Sequence, residues 1–79
     1  MYELKLPDLG EDAGNEAVVS FWHFEEGDGV IEGDDLVEMT TDKATFNVQS
    51  AKSAILMEIV ADEGDTVEVG EVLAILEEE

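Results

Sequence analysis

Hydrophobic and polar residues alternate over short stretches along the whole chain, and glycine or acidic residues separate these stretches. Residues 18–24 (VVSFWHF) show the strongest preference for a strand, because β-branched and aromatic side chains favour the extended conformation. The pattern predicts strands at residues 2–6, 18–24, 30–31, 36–41, 45–48, 55–60, 67–69 and 73–76, with a polar loop at residues 11–16. No window of adequate length shows a helical hydrophobic period. The sequence therefore predicts an all-β protein.

An internal repeat relates the two halves of this pattern. Glu26-Gly27-Asp28, Val30, Gly33 and Leu36 recur 37 positions later as Glu63-Gly64-Asp65, Val67, Gly70 and Leu73. Two copies are too few for a solenoid, so we expect two halves related by a pseudo-two-fold axis. Glycine at both equivalent turns indicates a backbone conformation with positive φ. A shift of 37 from Lys43 gives positions 6 and 80, which places the Lys43 turn opposite the chain ends.

The length and composition predict a single domain over residues 1–79. Apolar residues make up 44% of the 79, enough for one compact core but too few to enclose a deep substrate cleft as well. Cysteine is absent, which excludes disulfides and thiolate metal sites. These properties favour a protein that is not itself an enzyme.

The net charge of the chain indicates which kinds of molecule it can bind. Twenty-two acidic residues against three basic ones give a formal net charge of −19. Such a chain repels phosphate backbones and anionic membrane surfaces, and attracts basic protein surfaces. No stretch has the pattern of a secretion signal or approaches the roughly 18–20 apolar residues of a membrane span. We expect a cytoplasmic, monomeric protein that binds neither nucleic acid nor membranes.

The three basic residues are all lysines, and Lys43 stands apart. Lys5 lies in a predicted strand and Lys52 in a connection of small residues, whereas Lys43 lies in the turn Asp42-Lys43-Ala44 between two predicted strands. Aspartate is favoured in turns because its side chain can bond backbone amides further on. Taken alone, Asp42-Lys43-Ala44 favours an ordinary solvated lysine in a turn over a functional one.

Other candidate sites are less favoured. His23 has neither a partner nucleophile nor a second ligand, so we expect it at a sheet surface. Trp22 and Phe24 are expected in the core. The acidic clusters lack the spacing of a calcium loop, and Gly10 and Gly14 are not followed by the residues of a phosphate loop. We therefore predict no metal site and no catalytic residues.

The chain resembles the lipoyl domains of 2-oxo acid dehydrogenase complexes over nearly its whole length. The residues that carry the resemblance, in order along the chain, are Lys5-Leu6-Pro7-Asp8-Leu9-Gly10-Glu11, Glu26-Gly27-Asp28, Gly33, Leu36, Thr41-Asp42-Lys43-Ala44-Thr45, Glu63-Gly64-Asp65, Gly70 and Leu73. The sequence departs from the family pattern at Gln49-Ser50-Ala51, where Pro-Ser-Pro is frequent, and at Ala54, where glycine is common.

The resemblance implies a flattened barrel of two antiparallel four-stranded sheets with lipoic acid attached covalently to Lys43. Asp42 and Ala44 are then the flanking residues that modifying and partner enzymes recognise. The implied partners are a lipoate ligase or lipoyl transferase and three enzymes that use the arm in turn. A 2-oxo acid decarboxylase reductively acylates the lipoyl ring, a dihydrolipoyl acyltransferase removes the acyl group, and dihydrolipoyl dehydrogenase reoxidises the dithiol.

Two alternatives remain open at this point. A biotin carboxyl carrier domain shares the fold, but its lysine is typically flanked by methionines rather than by Asp42 and Ala44. An unmodified acidic protein-interaction module could use the same fold. The chemical state of Lys43 distinguishes all three functions.

Overall fold

The computed structural model describes residues 1–9 and 14–78, and this part of the chain is built from strands and turns without a helix. The strands are β1 (Tyr2–Lys5), β2 (Glu16–Trp22), β3 (Gly29–Val30), β4 (Asp35–Thr40), β5 (Thr45–Gln49), β6 (Ala54–Ile59), β7 (Thr66–Glu68) and β8 (Val72–Glu78). All eight predicted strands are confirmed, with ends that differ by at most two residues. The polar loop predicted at residues 11–16 begins outside the described residues, as do Gly10 and Glu11 of the N-terminal motif.

The strands form two antiparallel four-stranded sheets, as predicted. One has the order β5-β4-β2-β7, and we call it the lysine sheet because the Lys43 turn joins β4 to β5. The other has the order β1-β8-β6-β3, and we call it the terminal sheet because it holds the first and last strands. Side chains alternate between the two faces of a strand, so each sheet turns one apolar face towards the other.

The core lies between these two faces. Leu36, Val37 and Met39 of β4 are completely buried, and so are Leu56 of β6 and Leu73 of β8. Burial of one such side chain contributes about 1.5–3 kcal/mol relative to its exposed state. Trp22 belongs to this core and Phe24 packs against it, which confirms the positions predicted for both residues.

A β-bulge in β2 changes which side chains face the core. The pairing of β2 with β4 shifts between Val19 and Phe21, so that two consecutive residues, Ser20 and Phe21, both face solvent. Strict alternation would have placed Phe21 inside and Trp22 outside. The bulge instead buries Trp22 and leaves Phe21 52% exposed. A matching bulge in β6, between Leu56 and Glu58, exposes Met57 and Glu58 on the terminal sheet.

Reciprocal hydrogen bonds confirm the pseudo-two-fold relation between the halves. The Gly27 amide donates to the carbonyl of Leu56 at 2.7 Å, and the Gly64 amide donates to the carbonyl of Val19 at 2.8 Å. Both glycines have φ of 95°, a value that residues with a Cβ atom rarely adopt. Each half therefore uses its glycine turn to bond the strand of the other half.

The acidic residues beside these glycines also act across the axis. The Glu26 carboxylate accepts the Ile59 amide at 2.8 Å, and the Glu63 carboxylate accepts the Trp22 amide at 3.1 Å. These amides lie just past the two bulges, where the regular ladder is interrupted. The recurrent Glu-Gly-Asp triplets thus have a structural role in joining the halves.

Candidate functional site

The Lys43 turn is the tight connection of the β4–β5 hairpin. Thr40 and Thr45 form the last cross-strand pair, and beyond it the Thr41 amide donates to the Ala44 carbonyl at 2.8 Å. Asp42 and Lys43 are therefore the two residues at the tip. Neither has positive φ, unlike the central residues of the commonest two-residue hairpin turns, so the turn needs another source of stability.

The hydroxyl of Thr41 provides that stability. Its oxygen accepts the Lys43 amide at 3.3 Å and the Ala44 amide at 3.1 Å, and the hydroxyl donates to the Ala44 carbonyl at 3.1 Å. The expectation that the Asp42 carboxylate would bond these amides is wrong. Threonine occupies the first position of the turn, from which a short side chain reaches amides two and three residues on, whereas Asp42 is already at the exposed tip. Thr41 is thus a site residue that sequence reasoning missed, although a threonine directly before Asp-Lys-Ala is the signal that could have revealed it.

Lys43 itself is exposed to solvent at the tip of the hairpin. The ion pairs of the described residues involve the other two lysines: Lys5 with Glu3 at 3.8 Å and Lys52 with Glu78 at 2.9 Å. Lys43 forms no ion pair within residues 1–9 and 14–78. The exposed side chain therefore fits covalent extension through Nζ, since amide formation there would break no ion pair of the described residues. Asp42 and Ala44 are exposed on either side of it.

An open, mainly apolar groove lies beside the turn. It has a volume of about 290 Å³. Its walls come from the segment after β1 and from the hairpin itself: Pro7, Asp8, Leu9, Thr41, Ala44 and Phe46. The segment that follows β1 therefore lies next to the hairpin that carries Lys43.

The opposite end of the molecule holds the chain ends. The hydroxyls of Tyr2 and Ser50 are hydrogen-bonded at 2.9 Å, and the Lys52 ammonium contacts Glu78 at 2.9 Å. Ser50 follows β5 directly, so these contacts lie at the far end of the strand that begins beside the Lys43 turn. The predicted placement of Lys43 opposite the chain ends is confirmed.

His23 lies at the surface directly beyond β2, as expected. Its ring packs edge-on against Phe21, with ring centroids 5.3 Å apart and planes at 73°. Its Nε2 is 2.9 Å from the side-chain oxygen of Asn47 on β5. His23 and Lys43 are thus on the same sheet but not in one cluster. Among the described residues no group of three or more His, Asp or Glu side chains is placed to hold a metal ion.

Comparison with known proteins agrees with this geometry. The biotin/lipoyl family model, described as "Biotin-requiring enzyme", matches residues 2–76. The solution structure of the lipoyl domain of the 2-oxoglutarate dehydrogenase complex from Azotobacter vinelandii superimposes with a TM-score of 0.78 at 33% identity, covering 99% of this chain and 98% of that one. The chain belongs to the lipoyl-domain family.

Longer relatives carry a similar lipoyl domain. The succinyltransferase component of the 2-oxoglutarate dehydrogenase complex is 41% identical over 78 residues in Staphylococcus saprophyticus and 37% identical over 76 residues in Escherichia coli K12. The acetyltransferase component of the pyruvate dehydrogenase complex from Corynebacterium glutamicum is 36% identical over 75 residues. This lipoyl domain spans 18% of the length of the two succinyltransferases and 11% of the acetyltransferase. In the described part of the chain, no helix is long and apolar enough to cross a membrane.

Proposed function

We propose that lipoic acid is attached to Nζ of Lys43, and that the chain carries acyl groups and reducing equivalents in a 2-oxo acid dehydrogenase complex. The observation that carries this proposal is the position of Lys43. Its exposed side chain, without an ion partner among the described residues, stands at the tip of a hairpin whose backbone is held by Thr41. Of the three lysines, Lys5 and Lys52 are instead engaged with carboxylates.

The residues of the chain present the arm and do not react themselves. A lipoyl group supplies a disulfide ring that takes up an acyl group together with two electrons. Thr41 holds the turn, and the antiparallel pairing of β4 with β5 makes the base of the arm rigid. Asp42 and Ala44 are the neighbours that distinguish this lysine for the enzymes that modify and use it.

The names of the relatives support a particular set of partners. Both succinyltransferases and the superimposed lipoyl domain are components of 2-oxoglutarate dehydrogenase complexes. We infer that this domain serves such a complex, with a lipoate ligase or lipoyl transferase, the decarboxylase, a dihydrolipoyl acyltransferase and dihydrolipoyl dehydrogenase as partners. A cytoplasmic location follows from this role. The net charge of −19 opposes self-association, so the domain itself is expected to be a monomer.

The first experiment measures modification by intact mass. The chain is incubated with lipoate ligase, ATP and lipoic acid, beside Lys43→Arg, Lys5→Arg and Lys52→Arg. One lipoyl adduct is expected on the parent chain and on both control variants, and none on Lys43→Arg. An adduct with biotin and biotin ligase instead would establish the biotin carrier. A folded chain that accepts neither group would overturn the carrier function in favour of an interaction module.

A second experiment tests the complex. The lipoylated chain is offered to the decarboxylases of the 2-oxoglutarate and pyruvate complexes, each with its 2-oxo acid, and the mass of the acylated product is followed. Faster transfer of the succinyl group is expected. Faster transfer of the acetyl group would assign the domain to the pyruvate complex.

A further inference from the structure

The outer face of the lysine sheet carries an exposed aromatic cluster, the Phe21 patch, formed by Phe21, His23 and Asn47. The Phe21 ring is 52% exposed, and the bulge in β2 holds it outside the core. His23 packs against its edge and is itself bonded to Asn47. These contacts hold the ring in one orientation before any partner arrives, which lowers the entropy cost of binding.

The Phe21 patch is close to the lysine turn. Phe21 pairs with Glu38 and Glu38 with Asn47, so Phe21 and Asn47 lie in one row across three strands, and His23 follows just beyond β2. The next outward-facing row contains Val18, Thr40 and Thr45, and the turn follows directly. At about 3.3 Å per residue, the patch lies roughly 10 Å from the turn. A typical protein interface buries about 800 Å² on each partner, a footprint large enough to include both.

The charged side chains on the strands of the lysine sheet are all acidic. Glu38 lies between Phe21 and Asn47, and Glu16 pairs with Glu68 beyond Val18, on the side of the lysine turn. A second copy of this chain would bring −19 against −19, so it is disfavoured as the occupant. A complementary partner has an apolar recess for Phe21 inside a basic rim.

We propose that the Phe21 patch is the docking surface for the enzyme that attaches the lipoyl group, an inference that rests on the proposed function of Lys43. The partners that use the lipoyl group react with the far end of the arm. The attaching enzyme must bring its active site to Nζ of the unextended lysine. It must therefore contact the protein surface around the turn.

The chemical step itself needs only Nζ and an activated acyl donor. Lipoic acid and ATP give an acyl adenylate with release of pyrophosphate. The unprotonated Nζ attacks its carbonyl carbon, the N–C bond forms, and the bond from that carbon to the phosphate oxygen breaks. AMP leaves with the electron pair, and the displaced proton passes to solvent. Docking on Phe21 positions Lys43 for this attack and takes no part in the bond changes.

The test compares initial rates of lipoylation over a range of chain concentrations, using purified lipoate ligase, ATP and lipoic acid with intact mass as the readout. Phe21→Ser is expected to raise KM about tenfold with kcat unchanged, as for loss of an aromatic anchor. The matched control is Met57→Ser, which removes a 42% exposed apolar side chain from the corresponding bulge of the terminal sheet. Its KM is expected to stay within about twofold of the parent value.

A second readout does not depend on modification. The Lys43→Arg chain is used as a competitor of lipoylation, with and without Phe21→Ser, and its inhibition constant should rise by the same factor as KM. Phe21→Leu, which retains an apolar anchor, should recover part of the loss. Added salt should raise KM for the parent chain, because a basic rim on the enzyme is screened.

The outcomes separate this inference from the function on which it rests. Equal KM values for Phe21→Ser and Met57→Ser, with Lys43 still modified, would overturn the docking surface alone. If the parent chain forms dimers and Phe21→Ser converts them to monomers, the Phe21 patch binds a second copy of the chain. That result would also overturn the patch as the docking surface of the attaching enzyme. Absence of any adduct on the parent chain would overturn the carrier function and this inference together.

Discussion

The indole Nε1–H of Trp22 donates a hydrogen bond of 2.8 Å to the backbone carbonyl of Ala61, joining the lysine sheet to the segment that follows β6 of the terminal sheet. Both partners are buried, Trp22 at 8% exposure and Ala61 at 5%. The bulge in β2 makes this contact possible, because it turns the indole inwards. The bond connects the two halves near the pseudo-two-fold axis.

Trp22→Phe is expected to destabilise the fold by about 2–4 kcal/mol, since it leaves the Ala61 carbonyl without a donor and opens space in the core. Urea unfolding followed by circular dichroism measures this change. Phe24→Leu, at a half-buried position beside the core, should cost less. An equal loss of unfolding free energy in the two variants would show that the Trp22–Ala61 hydrogen bond contributes little to stability.

The carboxylates of Glu26 and Glu63 should stabilise the fold through the hydrogen bonds that they accept and not through their negative charge. Glu63→Ala removes the acceptor for the Trp22 amide, and Glu26→Ala removes that for Ile59, so each should cost about 1–2 kcal/mol. Glu63→Gln keeps an acceptor oxygen and lowers the negative charge, so its stability should equal or exceed that of the parent. Denaturation midpoints of the three variants decide this, and a Gln variant as unstable as the Ala variant would refute the explanation.

Gly27 and Gly64 are expected to resist substitution for conformational reasons. Each has φ of 95° with no atom near an added Cβ, so Gly27→Ala and Gly64→Ala should each cost about 1–2 kcal/mol through backbone strain alone. Gly29→Ala is the matched control, because Gly29 has equal space but no positive φ. Thermal unfolding should show two destabilised variants and one close to the parent.

Thr41 should affect lipoylation more than stability. Thr41→Val keeps the shape of the side chain and removes the hydroxyl that bonds the Lys43 and Ala44 amides, at a cost of about 0.5–1.5 kcal/mol for an exposed turn. A less ordered turn should lower the rate of lipoylation of Lys43. Thr41→Ser should retain both properties, and Asp42→Ala should leave the unfolding midpoint unchanged. A Thr41→Val chain modified at the parent rate would remove Thr41 from the site.

The high net charge should make the fold more stable in salt. With 22 acidic residues against three lysines, screening by added sodium chloride reduces self-repulsion in the compact state. A gain of about 1 kcal/mol corresponds to a rise in midpoint of roughly 4–8 °C for a domain of this size. Thermal scans from low to moderate salt measure the effect. A midpoint that fell with salt would mean that the ion pairs of Lys5 and Lys52 outweigh the repulsion.

The sequence by itself determined the strands and the two halves, and it singled out the lysine proposed for attachment. The alternation of apolar and polar side chains predicts where strands form. The repeat spacing of 37 residues predicts the pseudo-two-fold symmetry. Both signals can be read from the order of residues alone. Lys43 stood out among three lysines because it falls in a turn between strands, and the resemblance to lipoyl domains made it the predicted attachment point.

Only the tertiary structure decided which side chains act across the two halves. The bulge that exposes Phe21 and buries Trp22 interrupts the alternation, and its position depends on pairing with β4, a strand distant in sequence. The reciprocal bonds of Glu26 and Glu63 likewise join residues that pattern alone does not connect. The order of side chains along the chain predicts local conformation. Bulges and the hydrogen bonds between the two halves depend on tertiary structure, because backbone amides need hydrogen-bond acceptors once the sheets have packed.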